Sequence, residues 1–221
     1  AKVGCLSASP RVRALMRRFA DHAYSSYVQG TPALSHLSLL VHLNVNHAMV
    51  RNAEMLGVIH EYHLWDGISP LNKQGPSLGL TSSRGPIEWP PNLWPTSLQS
   101  SIEHHPWVDC FVWPRFRDNL LRAFEHPEIC DEDDLCHDLC EFGYNDGQPN
   151  FIVWGDSWDP HAWEVSLRFL EKWGWLLQGC PETLQATNYW REKRGEKPLT
   201  VDQVRTAMLR SIPPQLKGSE L

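Results

Sequence analysis

Two blocks of this chain place residues able to do chemistry among tryptophans. The first runs His104-His105-Pro106-Trp107-Val108-Asp109-Cys110-Phe111-Val112-Trp113-Pro114-Arg115-Phe116-Arg117-Asp118. The second runs Phe151-Ile152-Val153-Trp154-Gly155-Asp156-Ser157-Trp158-Asp159-Pro160-His161-Ala162-Trp163-Glu164 and continues to Trp173-Gly174-Trp175. A histidine pair before a proline can orient a carbonyl or donate a proton near neutral pH. Asn44 and His47, at i and i+3 on an apolar helix, suggest a second pair of polar groups lining a cavity. His104, His105, Asn44 and His47 are therefore the candidate catalytic residues, each able to hydrogen-bond a substrate carbonyl. One such donor is worth about 2.7–4 kcal/mol where charge develops on the oxygen it faces.

The aromatic residues supply the complementary half of such a site. There are 11 Trp in 221 residues, and each ring buries about 150–250 Å², or roughly 4–6 kcal/mol. Trp107, Trp154, Trp163, Trp113 and Phe111 are the candidate substrate-binding residues, acting as plates that fold a hydrophobic molecule. Charges among such rings are tolerated when paired. Arg117 is accordingly expected in a buried structural ion pair with Asp156 or Asp159.

The same blocks carry a family resemblance. His-His-Pro-Trp-x-Asp, then Pro-Arg-x-Arg-Asp-Asn-Leu-Leu, then Val-Trp-Gly-Asp-x-Trp-Asp-Pro-x-x-Trp-Glu-Val and Lys-Trp-Gly-Trp-Leu-Leu occur in that order. Together they resemble the C-terminal domain of unknown function found in many fungal bZIP-type transcription factors. The likeness spans roughly Leu34 to Trp190. It implies a regulatory context without assigning an activity, and this sequence shows neither a basic region nor a leucine zipper.

Other chemistries find little support. No G-x-G-x-x-G, no G-x-x-x-x-G-K and no G-x-S-x-G is present, so no nucleotide or other cofactor is expected. The six cysteines (Cys5, Cys110, Cys130, Cys136, Cys140, Cys180) form no C-x-x-C pair and read as free thiols. Cys136, His137 and Cys140 fall short of a four-ligand zinc set, so no metal is expected. The run Asp131-Glu132-Asp133-Asp134 with Asp138 resembles the aspartate-rich motif of class I terpene synthases, but His137 stands where the second acid should be. It reads as a helix-capping acidic face.

Net charge is −6. Nine acids and no Lys or Arg fall between Glu125 and Asp146, which leaves the remainder at about +3. Lys2, Arg11, Arg13, Arg17 and Arg18 make the N-terminal helix basic, but five bases without an aromatic or zipper partner predict no nucleic-acid reader. No apolar run of membrane-spanning length and no signal peptide stands out, so no membrane is expected and the location should be cytoplasmic, or nuclear for a regulator.

These residues must be positioned by helices. Ser9-Pro10 opens a helix running to about Tyr27, before Gly30, and Ser35 opens a longer, central one ending at Gly57. Prolines and glycines dissolve the pattern from Asp66 to Ser101, as in a lid or binding loop. Pro114 starts a helix to about Phe124, Asp131 caps one through Phe142, and Asp159-Pro160 caps a long one carrying Trp163, Leu167, Leu170 and Trp173. Phe151–Trp154 reads as extended. Helices over Glu182–Glu192 and Thr200–Arg210 complete an all-α fold, a single compact domain of about seven helices with a long Pro/Gly-rich loop. A basic helix over 1–30 would precede a Trp-rich domain over 31–221.

An aromatic pocket, a lid and no cofactor motif suit a reaction that needs folding of its substrate more than it needs chemistry. The reading taken is a stand-alone fungal secondary-metabolism enzyme. It would catalyse cofactor-independent, pericyclic (Diels–Alder-like) cyclisation of a hydrophobic terpenoid or polyketide intermediate. The alternative is a regulatory or ligand-sensing domain of a bZIP-type factor. The enzyme takes a hydrophobic small molecule as substrate, the regulator would sense a metabolite or bind a partner, and neither fixes the oligomeric state.

Overall fold

Proline's fixed φ suits a first helical turn, and α1 starts on it, spanning Pro10–Val28. The helix α2, Ser35–Leu56, ends at Gly57, whose φ of 75° an L side chain would resist. The computed structural model describes residues 9–28, 35–74, 81–82, 85–86, 89–140 and 149–216; side chains within several helices, including those of 35–43, are outside that description. The expected stops at Gly30 and at Phe142-Gly143, Lys2, Cys5, and the Pro/Gly positions Gly75, Pro76 and Gly79 also lie outside the described residues. Two single-turn helices follow α2, namely α3 (Ile59–Tyr62) and α4 (Leu71–Gln74).

The Trp-rich half begins with α5, Pro114–Phe124, which buries Phe116, Arg117, Leu120, Leu121 and Ala123. Next comes α6, Glu132–Cys140, with three acids in its first turn, where the positive helix end favours them. Asp131 accepts the Asp134 N–H at 3.0 Å, as the sequence led us to expect of a cap.

The all-α expectation needs one correction. Helix dominates the described residues, but Phe151–Val153 and Trp163–Val165 pair as antiparallel strands, with Val153 opposite Trp163 and Ile152 opposite Glu164. A second two-residue pair, β1 (Thr81–Ser82) with β2 (Gly85–Pro86), lies in the Pro/Gly-rich stretch. The longer strands are β3 and β4. Asp159 caps only a single turn, Pro160–Ala162, and no long helix starts there. Helix α7, Leu167–Trp173, starts eight residues after Asp159, where the Ser166 hydroxyl accepts the Phe169 N–H at 3.1 Å. Aromatic and β-branched residues favour a pleated surface, so Trp163 and Val165 join β3 and both face the core.

Two helices close the chain. Pro181 opens α8, Pro181–Lys193, and Thr200 with Gln203 forms a reciprocal capping box for α9, Val201–Ser211. Seven helices among the described residues exceed one turn. Contacts run α2 to β3, α3 and the Val108–Cys110 turn, α8 to β4, and α9 to α7. The central helix α2 therefore meets the Trp blocks through a strand and a turn. Gly174 lets α9 approach, because a Cβ there would lie 3.1 Å from Met208 Cγ.

Candidate functional site

The tryptophan plates form a filled core. On the inner face of the hairpin Trp163 and Phe151 meet Trp113 and Phe111, with ring centroids 5.8–6.2 Å apart. Trp113 and Trp163 are 0% exposed and Phe111 is 1%, so these predicted plates pack on one another. The Trp163 indole N–H donates to Ser157 O at 2.9 Å. Trp107 packs edge-on to Phe111 and donates to Glu132 Oε1 at 3.2 Å. Trp154 lies apart from them. It is exposed, stacked on Trp190 at 5.4 Å and 18°, and donates to Glu164 Oε2 at 2.8 Å.

Arg117 is fully buried but pairs with neither Asp156 nor Asp159. Its guanidinium donates to Asn92 O at 2.8 Å, Phe111 O at 2.6 Å, Trp94 O at 2.7 Å and Gln99 Oε1 at 2.9 Å. Neutral carbonyls thus replace the expected carboxylate, and burial pushes the guanidinium down to about 10 against the pull of Asp109 and Asp118. Asp156 is exposed, and Asp159 accepts the backbone N–H and ring nitrogen of His161. The carboxylate of the second block that does take an arginine is Glu164, gripped bidentately by Arg194. Its partner comes from just past the end of α8, thirty residues on, which no local spacing signals.

Gln99 links Arg117 to a second buried centre. Its amide donates to Asp109 Oδ1 at 2.6 Å, and Asp109 Oδ2 accepts from the Ser69 hydroxyl at 2.6 Å. His104 completes the set, with Nε2 at 2.8 Å from Asp109 Oδ1 and Nδ1 at 2.7 Å from Ile102 O. Both partners are acceptors, so the ring satisfies both only as an imidazolium. Burial opposes that charge, but the Asp109 hydrogen bond and field, with Ile102 O, hold the pKa above its ordinary value.

His105 behaves oppositely. Its Nε2 faces Leu64 O at 2.8 Å while Nδ1 accepts the Trp107 N–H at 3.3 Å, an arrangement for the neutral ring. Burial lowers its pKa, only partly offset by the Leu64 carbonyl. The other two candidates are elsewhere. Asn44 and His47 are exposed on α2, and Asn44 donates to Val153 O at the edge of β3. The expected cavity between them is replaced by a helix-to-strand tie. His104, His105 and Asn44 thus bond within the fold, and the histidine pair and the α2 pair are not brought together in one site.

Open space lies instead beneath the C-terminal helices. A groove of about 310 Å³ is lined by Val165, Leu170, Leu177, Thr187, Leu199 and Met208. A second, of about 410 Å³, shares Leu184, Val204 and Met208 with it and opens past Trp175 and Leu209. The hydroxyls at the first groove serve the backbone, Thr183 donating to Cys180 O at 2.7 Å and Thr187 accepting from Val165 N at 3.0 Å. Burial pushes the Cys180 thiol up to about 12, so it is no nucleophile at neutral pH. The spacing of Val201, Val204 and Met208 on α9 is the signal in the sequence that marks these grooves, and it involves no titratable residue. Among the described residues no group of three His, Cys, Asp or Glu side chains is arranged to hold a metal ion. No helix among them is long and apolar enough to cross a membrane.

The family model described as a domain of unknown function, DUF3425, matches residues 80–185. The family is known from bZIP-type transcription factors, as the ordered motifs led us to expect. No curated protein and no solved structure was found to match the chain. The matched segment contains the aromatic core, Arg117 with its partners, Asp109 with its partners other than Ser69, the β3–β4 hairpin, α7 and the first turn of α8. The grooves therefore lie on a seam, one wall from the DUF3425 segment and the other from α9 beyond it.

Proposed function

We propose that this chain is a ligand-binding regulatory module that receives a hydrophobic small molecule in the seam between β4, α7, α8 and α9. One observation carries this reading: the accessible grooves are apolar, of the size small ligands fill, and their hydroxyls are engaged by the backbone. Such a site selects by shape and burial, and it supplies little to a reacting bond. The family's association with transcription factors supports the regulatory context. Ligand seated against α9 would fix that helix on the DUF3425 segment, and a fixed helix is a signal a partner can read.

The cyclase reading would place its substrate in the same seam. Arg205 and Gln178 at the rim of the outer groove are the side chains that could there donate to an activating carbonyl. The experiment separates the two. N-phenylnaphthylamine, a neutral apolar fluorophore, should bind saturably and quench Trp175, and Val204→Trp should abolish both effects. Equal binding by the variant, or none by either protein, defeats the module. A linear triene ketone that closes by intramolecular Diels–Alder reaction should cyclise at its spontaneous rate with protein present. Acceleration that is lost in Arg205→Ala or in Gln178→Ala would favour the enzyme.

A further inference from the structure

Helix α8 has a second cavity on its other side. It holds about 530 Å³ between the 155–162 turn and α8, lined by Asp156, Asp159, His161, Gln185, Tyr189 and Trp190 among others. Thr183, Leu184 and Thr187 face the apolar groove; Gln185 and Tyr189 project to the other side of the helix, and the two linings share no residue. The two sites are distinct.

Three features of this cavity agree on one ligand chemistry. Two carboxylates, Asp156 and Asp159, line it, and among the described residues no Lys or Arg does. Its floor is an aromatic corner, Tyr189 and Trp190 meeting edge-to-face at 5.1 Å and 83°. The Trp190 ring is fixed in place, its N–H donating to His161 O at 2.7 Å and one face stacked on Trp154. Rings in this corner already attract cations of the chain. Arg194 lies 5.2 Å from the Trp154 centroid, and Lys193 lies 5.3 Å from that of Tyr189. Trp190 brings a ring to the cavity beside two carboxylates. An aromatic wall with a nearby anion is how proteins recognise alkylated ammonium groups.

We infer that the cavity between the 155–162 turn and α8 binds an organic cation, an alkylated ammonium seated on Trp190 and Tyr189 with Asp156 and Asp159 as counter-ions. The aromatic faces take the alkyl groups and the carboxylates take the charge. A strongly hydrated metal ion or a simple salt cation would gain nothing from the rings. The ammonium could belong to a free small molecule or to a modified lysine side chain of a peptide, and the test separates the two.

The experiment titrates the intact chain with choline, with its neutral carbon isostere dimethylbutanol, and with a short peptide containing trimethyllysine, reading tryptophan fluorescence and calorimetric heat. Choline or the peptide should bind, the tighter of the two identifying the source, and the isostere should bind at least tenfold more weakly. Asp156→Asn removes an exposed carboxylate and should weaken binding about threefold to fivefold. Tyr189→Ala, also at an exposed position, should do so about fivefold. Val204→Trp, on the opposite side of α8, should leave it unchanged. Equal binding of the isostere, no binding of either cation, or full affinity in both Asp156→Asn and Tyr189→Ala overturns the assignment.

Discussion

At the scale of single residues, the adjacent histidines are driven in opposite directions by what faces them. His104, between Asp109 and Ile102 O, has its pKa raised, and burial lowers that of His105. The His104 contribution is complete below the unfolded value of about 6.5 and is lost as pH rises through the folded value. The His105 contribution is present above that same value and is lost as pH falls through its lowered one. Melting temperature should therefore peak near neutrality in scans from about pH 5 to about pH 9. His104→Gln should flatten the alkaline limb and leave the acid limb in place. Arg117 makes a separate prediction. Lysine carries the charge but lacks the planar fork that reaches three carbonyls and an amide, so Arg117→Lys should cost about 2–4 kcal/mol in denaturant unfolding. A loss under about 0.5 kcal/mol would mean that the carbonyls find other donors.

At the scale of elements, most boundaries could be read from caps and breakers, because those act within a few residues. Ser9-Pro10, Gly57, Pro114, Asp131 and Thr200 each mark a helix end where the structure puts one. The misread element is the one at 159–165. There the positions of Trp163, Leu167, Leu170 and Trp173 satisfy a helical stripe, while the strand depends on β3, a pairing with Phe151–Val153 that no local pattern announces. Helix α9 gives the test at this scale. Thr200→Ala removes the hydroxyl that accepts the Gln203 N–H, leaving the Gln203 amide oxygen on the backbone N–H of residue 200, and should cost about 1 kcal/mol. Because α9 walls the apolar seam, the same change should weaken N-phenylnaphthylamine binding while leaving near-ultraviolet circular dichroism of the core unaltered. Unchanged affinity together with the stability loss would place the probe away from α9.

For the whole molecule, the aromatic centre was legible in the sequence, and the packing of its rings on one another was not. Residue type says that Trp113 and Trp163 will be buried, but not whether the rings meet one another or enclose a space; that depends on summed volumes from four segments distant in the chain. His104, one of the expected carbonyl donors, spends both ring nitrogens inside the protein, and Ser69, Gln99, Asp109 and Arg117 extend its hydrogen bonds into one buried network. The cavities lie at the periphery, where α8 divides an apolar seam from an acidic, aromatic one. The guanidinium of Arg117 also bears on the order of assembly. The Trp89–Phe111 stretch contains little regular structure, and three of its carbonyls, from Asn92, Trp94 and Phe111, end on one side chain carried by α5. A hydrogen-bonded strand can form with its neighbour alone; this stretch cannot close until α5 exists and has turned Arg117 inward. Its conformation is therefore inherited from a helix later in the chain, and a ribosome must release α5 before the preceding loop acquires its shape.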